Sequence, residues 1–383
     1  MLRERVRVGL VAVAAAVTCA GGASADVVTE QSASILVFPK VIADGNQDTI
    51  IQISNTSNSM VHAHCFYVNG ALTDPTRPQG PTNPPLWTEI DFDIWLTKQQ
   101  PTYWVVSEGR LVDSDDEPCR GTTLDCPNSG LDPGRVPPVV SDFTGELKCV
   151  EVDPSGAPLS GNHLKGEATI VTFNTCEDGT CSVTGNACST VCPDEYDYAK
   201  YNALGVIGNE NNNGDGELCL GGAAQPGSCP NGAEYNACPL HWTYTGYATD
   251  GDDPFLGEEV TPSITFVPCT QNFETQVPTS VTIQFAITNE FEQTFSASTT
   301  VTCWADLELS SINQVFAEDR VGTDLVQVRM RASTGSTSGF MAVATDVHTD
   351  GEGQSARASV NLHVDGERTG GDLITIPAEQ AGL

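Results

Sequence analysis

One stretch of the chain carries oxygen-rich side chains at alternate positions: NENNNGDGELCLGG, residues 209–222. A calcium loop of the EF-hand type needs oxygen ligands at positions 1, 3 and 5, glycine at position 6 and glutamate at position 12. The stretch satisfies the first four of these requirements, but its twelfth residue is Leu220, which cannot bind a cation. Two interpretations therefore stay open, a polar turn and a calcium site formed by Asn209, Asn211, Asn213, Asp215 and Glu217.

Two histidines, His62 and His64, are separated by a single residue in VHAHCF. Side chains at i and i+2 of a strand point to the same face, so the two imidazoles could bind one transition metal. A third ligand is needed, and His163 and His241 are distant in sequence. The alternative is a pair of surface histidines on the face opposite Cys65.

Aromatic residues cluster in LWTEIDFDIWLTKQQPTYWVV, residues 86–106. An aromatic ring bordered by polar groups can stack on a sugar, which would make Trp87, Trp95 and Trp104 ligand-stacking residues. Rings of this kind also fill the cores of β proteins. The position of Trp95 between Ile94 and Leu96 favours burial for at least one of the three.

The sequence patterns of hydrolytic enzymes are weak in this chain. GSTSG, at residues 335–339, is similar to G-x-S-x-G, but Thr337 takes the place of the nucleophilic serine. The zinc pattern H-E-x-x-H does not occur. Carboxylates are abundant, yet nothing marks a particular pair for glycoside hydrolysis. The sequence therefore predicts no catalytic residue.

The first 25 residues have the composition of a secretory signal peptide. Arg3, Arg5 and Arg7 form a basic start, an apolar run follows, and residues 23–25 form a small-residue cleavage site. This predicts export to the periplasm, the cell surface or the exterior. A lipid-modified Cys19 is the alternative. No later stretch is long and apolar enough to predict a membrane span.

The net charge of −33 narrows the class of partner. So negative a chain repels nucleic acid and anionic lipid, and it attracts divalent cations. Charged residues make up only 17% of the sequence, which argues against a disordered acidic chain.

Cysteine usage indicates an oxidising compartment, because 13 cysteines follow the predicted signal peptide and no CxxC pair is present. An odd number leaves one thiol free or paired with another chain. The predicted bridges are Cys65–Cys149, Cys119–Cys126, Cys176–Cys181 and Cys269–Cys303. Pairing among the remaining five cysteines stays open.

Short strands with period-2 alternation dominate the chain, as in residues 280–289, and turn signals separate them. ILVFP (35–39) followed by TIIQISN is repeated in form by ITFVP (264–268) followed by TIQFAITN. We therefore expect an all-β fold with two Ig-like antiparallel β-sandwich domains. The expected boundaries are 26–175 for the first domain and 259–383 for the second, with a Cys/Asn/Gly-rich loop region at 176–258 that elaborates the first.

The segment SILVFPKVIADGNQDTIIQISNTSN resembles the opening of a broad set of exported bacterial proteins. NEFEQTFSASTTVTCW and ASVNLHVDGERTGGDLITIP are similar to segments of the same group. The resemblance implies Ig-like sandwiches and a location outside the cytoplasm. It implies no activity and no site residues.

These observations predict a non-catalytic structural or interaction protein, secreted by or displayed on a bacterium, with a protein or glycan partner. The alternative is a carbohydrate-binding module that uses the aromatic cluster. A metal-dependent or hydrolytic extracytoplasmic enzyme is a third hypothesis. Calcium is the one cofactor that the sequence patterns indicate.

Overall fold

The computed structural model describes residues 27–80, 82–110, 133–175, 191–209, 212–222, 233–254, 257, 259–349 and 355–377. Several predicted features lie outside these residues. They are the signal peptide, Asn211, and the bridges Cys119–Cys126 and Cys176–Cys181.

Extended backbone dominates the described chain, at 59% strand and 4% helix, as the all-β expectation requires. The strands are β1 (Ile35–Ala43), β2 (Gln47–Asn55), β3 (Val61–Asn69), β4 (Thr88–Leu96), β5 (Pro101–Val105), β6 (Phe143–Val152), β7 (Leu164–Thr175), β8 (Val191–Asn202), β9 (Leu204–Val206), β10 (Glu217–Leu220), β11 (Pro239–Tyr247), β12 (Gly251–Asp252), β13 (Glu259–Pro268), β14 (Gln271–Asn272), β15 (Ser280–Asn289), β16 (Thr294–Thr302), β17 (Ala305–Glu308), β18 (Leu325–Ala332), β19 (Phe340–Thr349), β20 (Ser355–Asn361), β21 (His363–Glu367) and β22 (Asp372–Thr375).

Helical structure is confined to one stretch between β17 and β18. It consists of α1 (Leu309–Ile312), a 3₁₀ turn (Gln314–Phe316) and α2 (Glu318–Val321). No helix among the described residues has the length and apolar character needed to cross a membrane.

The described strands form five sheets. Sheet A has the order β4-β3-β6-β1-β9, and sheet B has the order β5-β2-β7-β8. Sheet C is β10-β22-β14, sheet D is β12-β13-β19-β20 with β17 added to β13, and sheet E is β16-β15-β18-β11-β21.

The expectation of two Ig-like β-sandwich domains is wrong. The strands are divided among five small sheets, which corresponds to a five-bladed β-propeller rather than to two sandwiches. Most propeller blades are four-stranded units, whereas sheets A and E each have five strands, and non-consecutive strands are neighbours in both. Period-2 alternation identifies a strand but not its partners, which is why the sequence misled.

Two strands of sheet A, β1 and β3, are buried on both faces, since every residue of each is buried. One face packs against sheet B, where Phe38 of β1 meets Ile51 of β2 and Ile170 of β7 in a common core. Alternation along β1 then sends Ile35 and Val37 into a second core on the opposite face.

The second core joins residues from the two predicted domains. Val37 and Phe66 of sheet A share it with Phe266 of sheet D, Phe285 of sheet E and Ile374 of sheet C. A hydrophobic core that runs from one half of the chain to the other is the physical reason why the two halves are not separate units.

Strands from the predicted loop region are built into several sheets. β8 is an edge of sheet B and β9 an edge of sheet A, whereas β11 pairs with β18 and β21 within sheet E. The strands that carry ILVFP and ITFVP are β1 and β13, and each pairs antiparallel with a later strand, β1 with β6 and β13 with β19.

Cys65 and Cys149 form a disulfide, the pair that the sequence predicts. They lie directly opposite each other on β3 and β6, so the bridge joins neighbouring strands of sheet A and does not cross between two sheets. The predicted Cys269–Cys303 bridge is wrong. Cys269 is joined to Cys238, just before β11, and Cys303 is a buried free thiol. Sequence spacing gave no sign that β11 and β13 would bring Cys238 beside Cys269.

Candidate functional site

The outer face of sheet B exposes aromatic rings among polar side chains. Alternation in β5, whose sequence is PTYWV, decides which ring is exposed. Trp104 points inward and is 2% exposed, while Tyr103 points outward and is 67% exposed. In β2, Ile51 and Ile53 fill the core and Gln52 lies on the outer side.

A straight row of side chains crosses all four strands of this sheet. Tyr103 is opposite Gln52, Gln52 is opposite Glu167, and Glu167 is opposite Asn202. Residues opposite each other in adjacent strands lie on the same face, and the strands are about 4.8 Å apart. The row therefore extends over about 14 Å, from the tyrosine to the asparagine.

A shallow groove of about 560 Å³ follows this row. The residues that line it are Gln52, Ser54, Pro101, Thr102, Tyr103, Lys165, Gly166, Glu167 and Asn202. On β7 and β8, Lys200 donates to Glu167 Oε1 at 2.7 Å, which holds that carboxylate beside the groove. Amide, hydroxyl, carboxylate and ammonium groups thus surround one exposed ring.

Two further tyrosines continue the aromatic surface along β8. Tyr198 is 60% exposed, and its ring centroid lies 6.4 Å from that of Tyr196. The ring of Tyr196 in turn meets that of Phe173 edge to face, with 5.9 Å between the ring centroids. We refer to the outward side chains Tyr103, Gln52, Glu167, Lys200, Asn202, Tyr196 and Tyr198 as the tyrosine face.

The tryptophans that the sequence proposes for ligand stacking do not form such a surface. Trp104 is in the core between sheets A and B and donates its indole N–H to the Tyr67 hydroxyl. Trp87 is buried in the second core. Trp95 is half-buried, and one face of its ring stacks on His62 at 3.8 Å. The burial of Trp87 and Trp104 corrects the prediction, because neither can offer a free face to a sugar.

His62 and His64 lie on one face of β3, opposite the face of Cys65, as their spacing predicts. Both are buried rather than at the surface. His62 Nε2 lies 2.8 Å from Asp93 Oδ1, and His64 Nε2 lies 3.2 Å from Asp91 Oδ2. Each imidazole therefore has a carboxylate of its own on β4.

These pairs affect the ionisation of their neighbours. The hydrogen bond from His64 lowers the pKa of Asp91. Burial, with the Asp91 charge beside it, raises the pKa of Glu89 to about 7. The two histidines and their carboxylates do not converge on one point. Within the described residues, the one group with ligating geometry is Cys238, Cys269 and Asp372, and its two sulfur atoms form a disulfide.

The Asn/Gly stretch folds as a polar turn that leads into β10. The oxygen of Asn213 accepts the backbone N–H of Asp215 at 3.0 Å, and Asp215 Oδ1 accepts that of Glu217 at 2.9 Å. Gly214 and Gly216 have positive φ values, which the turn requires. The backbone N–H of Asn209 donates to the backbone carbonyl of Glu234. Asn213 and Asp215, two of the five residues proposed as calcium ligands, therefore each use a side-chain oxygen to hold the backbone of the turn.

No protein-family model matches this chain, and no curated protein matches it. Among solved structures, a lectin from Pleurotus ostreatus in complex with GalNAc aligns over 89% of this chain and 80% of its own, with 10% identity and a TM-score of 0.17. The apo form of the Pleurotus ostreatus lectin aligns over 87% and 78%, with 12% identity and a TM-score of 0.14. TM-scores this low establish neither a shared fold nor a shared ligand.

Proposed function

We propose that this protein is a non-catalytic glycan-binding protein that acts outside the cytoplasm and binds its ligand on the tyrosine face. One observation carries the proposal: Tyr103, which is 67% exposed, lies in register with Gln52, Glu167 and Asn202 across sheet B. Sugars offer apolar C–H faces that stack on aromatic rings, and hydroxyl groups that pair with amides and carboxylates.

The charge of the chain defines the class of glycan. A net charge of −33 disfavours uronic acid, sulfated and sialylated polymers, so the ligand that we propose is a neutral oligosaccharide. A groove that spans four strands, about 14 Å, has room for several sugar units. The predicted signal peptide and the disulfides agree with a site of action in an oxidising compartment outside the cytoplasm.

A glycan array probed with the exported protein tests the proposal. Binding should be confined to neutral glycans and should be lost in Tyr103→Ala. Phe291→Ala is the matched control, because Phe291 is 71% exposed and lies in the turn between β15 and β16, away from sheet B. Failure to bind any glycan would contradict the proposal and favour a surface protein whose partner is another protein.

A further inference from the structure

Three functional groups that could react with one another meet in the interior between sheets A and C. Glu146 and Lys148 lie two residues apart on β6, on the same face, and Gln271 lies in β14 on the opposing sheet. The first two are 0% exposed and Gln271 is 1% exposed. None of the three belongs to the tyrosine face.

Glu146 bridges the other two side chains. Its Oε2 atom accepts a hydrogen bond from the Lys148 amine, and its Oε1 atom accepts one from the Gln271 amide nitrogen. Aromatic rings enclose the group, because the Lys148 nitrogen lies 5.6 Å from the centre of the Phe273 ring, which stacks on Phe66. A single carboxyl group thus holds an amine and a carboxamide side by side in an apolar pocket.

The arrangement is poor as an ion pair. A fully buried ammonium needs partners for three N–H groups, and within the described part of the chain the hydrogen-bond partner of Lys148 is Glu146 alone. Burial lowers the pKa of Lys148 and raises the pKa of Glu146, so both groups are driven toward their neutral forms. A neutral lysine amine in a hydrophobic pocket is a nucleophile.

Gln271 presents the matching electrophile. Its Oε1 atom is buried, and no donor among the described residues reaches it. Rotation of the amide group by half a turn exchanges Oε1 and Nε2, which places the carbonyl oxygen on a protonated Glu146. A proton donated there would polarise the carbonyl carbon toward attack.

We propose that Lys148 and Gln271 form an intramolecular isopeptide bond, with Glu146 as the proton carrier. The Lys148 Nζ–Gln271 Cδ bond forms, the Gln271 Cδ–Nε2 bond breaks, and ammonia leaves. Glu146 accepts one proton from the attacking nitrogen and delivers one to the departing nitrogen, so it ends in the state in which it began. The reaction needs no oxidant, metal or added energy source, and its product ties sheet A covalently to sheet C.

The intact mass of the purified, exported wild-type protein tests this directly. After reduction of the disulfides, the mass should be lower than the sequence mass by one ammonia. Trypsin should fail to cut after Lys148, and a second digestion with a glutamate-specific protease should yield a branched peptide that contains Lys148 and Gln271. The full mass, with Lys148 cleaved normally and Gln271 unmodified, would overturn the proposal without any variant.

Variants assign the chemistry. Glu146→Gln and Lys148→Met should each restore the lost ammonia. Lys40→Met is the matched control, because Lys40 is also buried but pairs with Asp306 at 2.8 Å, and it should keep the lower mass. Cys303 is a free thiol whose pKa is raised first by burial and, to a smaller extent, by the nearby Glu146 charge. Cys303→Ser should also keep the lower mass. Restored mass in Cys303→Ser, with the lower mass kept in Lys148→Met, would identify a thioester and reject the isopeptide bond.

Discussion

The indole N–H of Trp304 donates to the backbone carbonyl of Pro39 at 2.7 Å, and the same indole ring lies against the backbone of Gly70. Trp304 follows β16 of sheet E, whereas Pro39 and Gly70 belong to or border sheet A. Gln79 adds two hydrogen bonds from its side-chain amide nitrogen, to the carbonyls of Thr302 and Trp304. At this contact the N-terminal and C-terminal halves of the chain pack against each other.

Gly70→Ala should destabilise the protein through this contact. A methyl group at position 70 would lie 2.6 Å from the indole ring of a buried tryptophan. Overpacking of this kind costs about 1–3 kcal/mol of unfolding free energy. Gly45→Ala, where a methyl group meets nothing within 4 Å, is the control. Urea denaturation of both variants measures the effect, and equal stability of the two would contradict the described packing.

Two adjacent residues of β5 should behave in opposite ways. Trp104→Ala removes a core ring and its hydrogen bond to Tyr67, so we expect a loss of about 3–5 kcal/mol in unfolding free energy. Tyr103→Ala removes an exposed ring and should change stability by less than about 0.5 kcal/mol. Denaturation curves of the two variants measure these changes in stability. A stable Trp104→Ala variant that loses glycan binding would instead support the hypothesis that Trp104 stacks on the glycan.

Stability should fall as pH rises through neutrality because of Glu89. Its pKa is raised from an ordinary value of 4.5 to about 7, first by burial and then by Asp91. A raised pKa in the folded state gives stability that is fully present below the unfolded-state pKa and is lost as pH rises through the folded-state value. Between pH 5 and pH 8, the Tm of Glu89→Gln should therefore drop less than the Tm of the wild type. The difference between the two drops should exceed a measurement error of about 1 °C. Parallel Tm curves for the two proteins would contradict this.

Asp215→Ala tests the polar turn against the calcium site. Asp215 accepts the N–H of Glu217 and a hydrogen bond from the Asn213 side chain, so its removal should cost about 1 kcal/mol of unfolding free energy. The loss should be the same with calcium and with a chelator. A calcium-dependent rise in the wild-type Tm that disappears in Asp215→Ala would show that the turn binds calcium after all.

Local features of the fold could be predicted from the sequence. The period-2 pattern of residues 280–289 gives β15, with Val281, Ile283, Phe285 and Ile287 buried. The pairing of Cys65 with Cys149 also follows from two strands whose apolar faces carry a cysteine. These inferences need only the side-chain direction within one strand.

Features that depend on distant packing could not be predicted. Both faces of β3 are buried, and on the face that carries His62 and His64 the ring of Phe66 stacks on Phe273, which directly follows β14. No local sequence pattern predicts this contact with a distant segment. The choice between Tyr103 and Trp104 depends on strand register, since a shift of one residue exchanges the two faces. The apolar alternation of β2, with Ile51 and Ile53 inward, was the available signal for the outer face.

The most direct test of the central claim is a calorimetric titration with the neutral glycan that binds best on the array. We expect Tyr103→Ala to weaken binding by about tenfold or more, because loss of one stacking ring removes about 1–2 kcal/mol of binding free energy. Tyr103→Phe should stay within a few-fold of the wild type, and Phe291→Ala should equal it. Unchanged affinity in Tyr103→Ala would contradict the assignment of the glycan site to the tyrosine face.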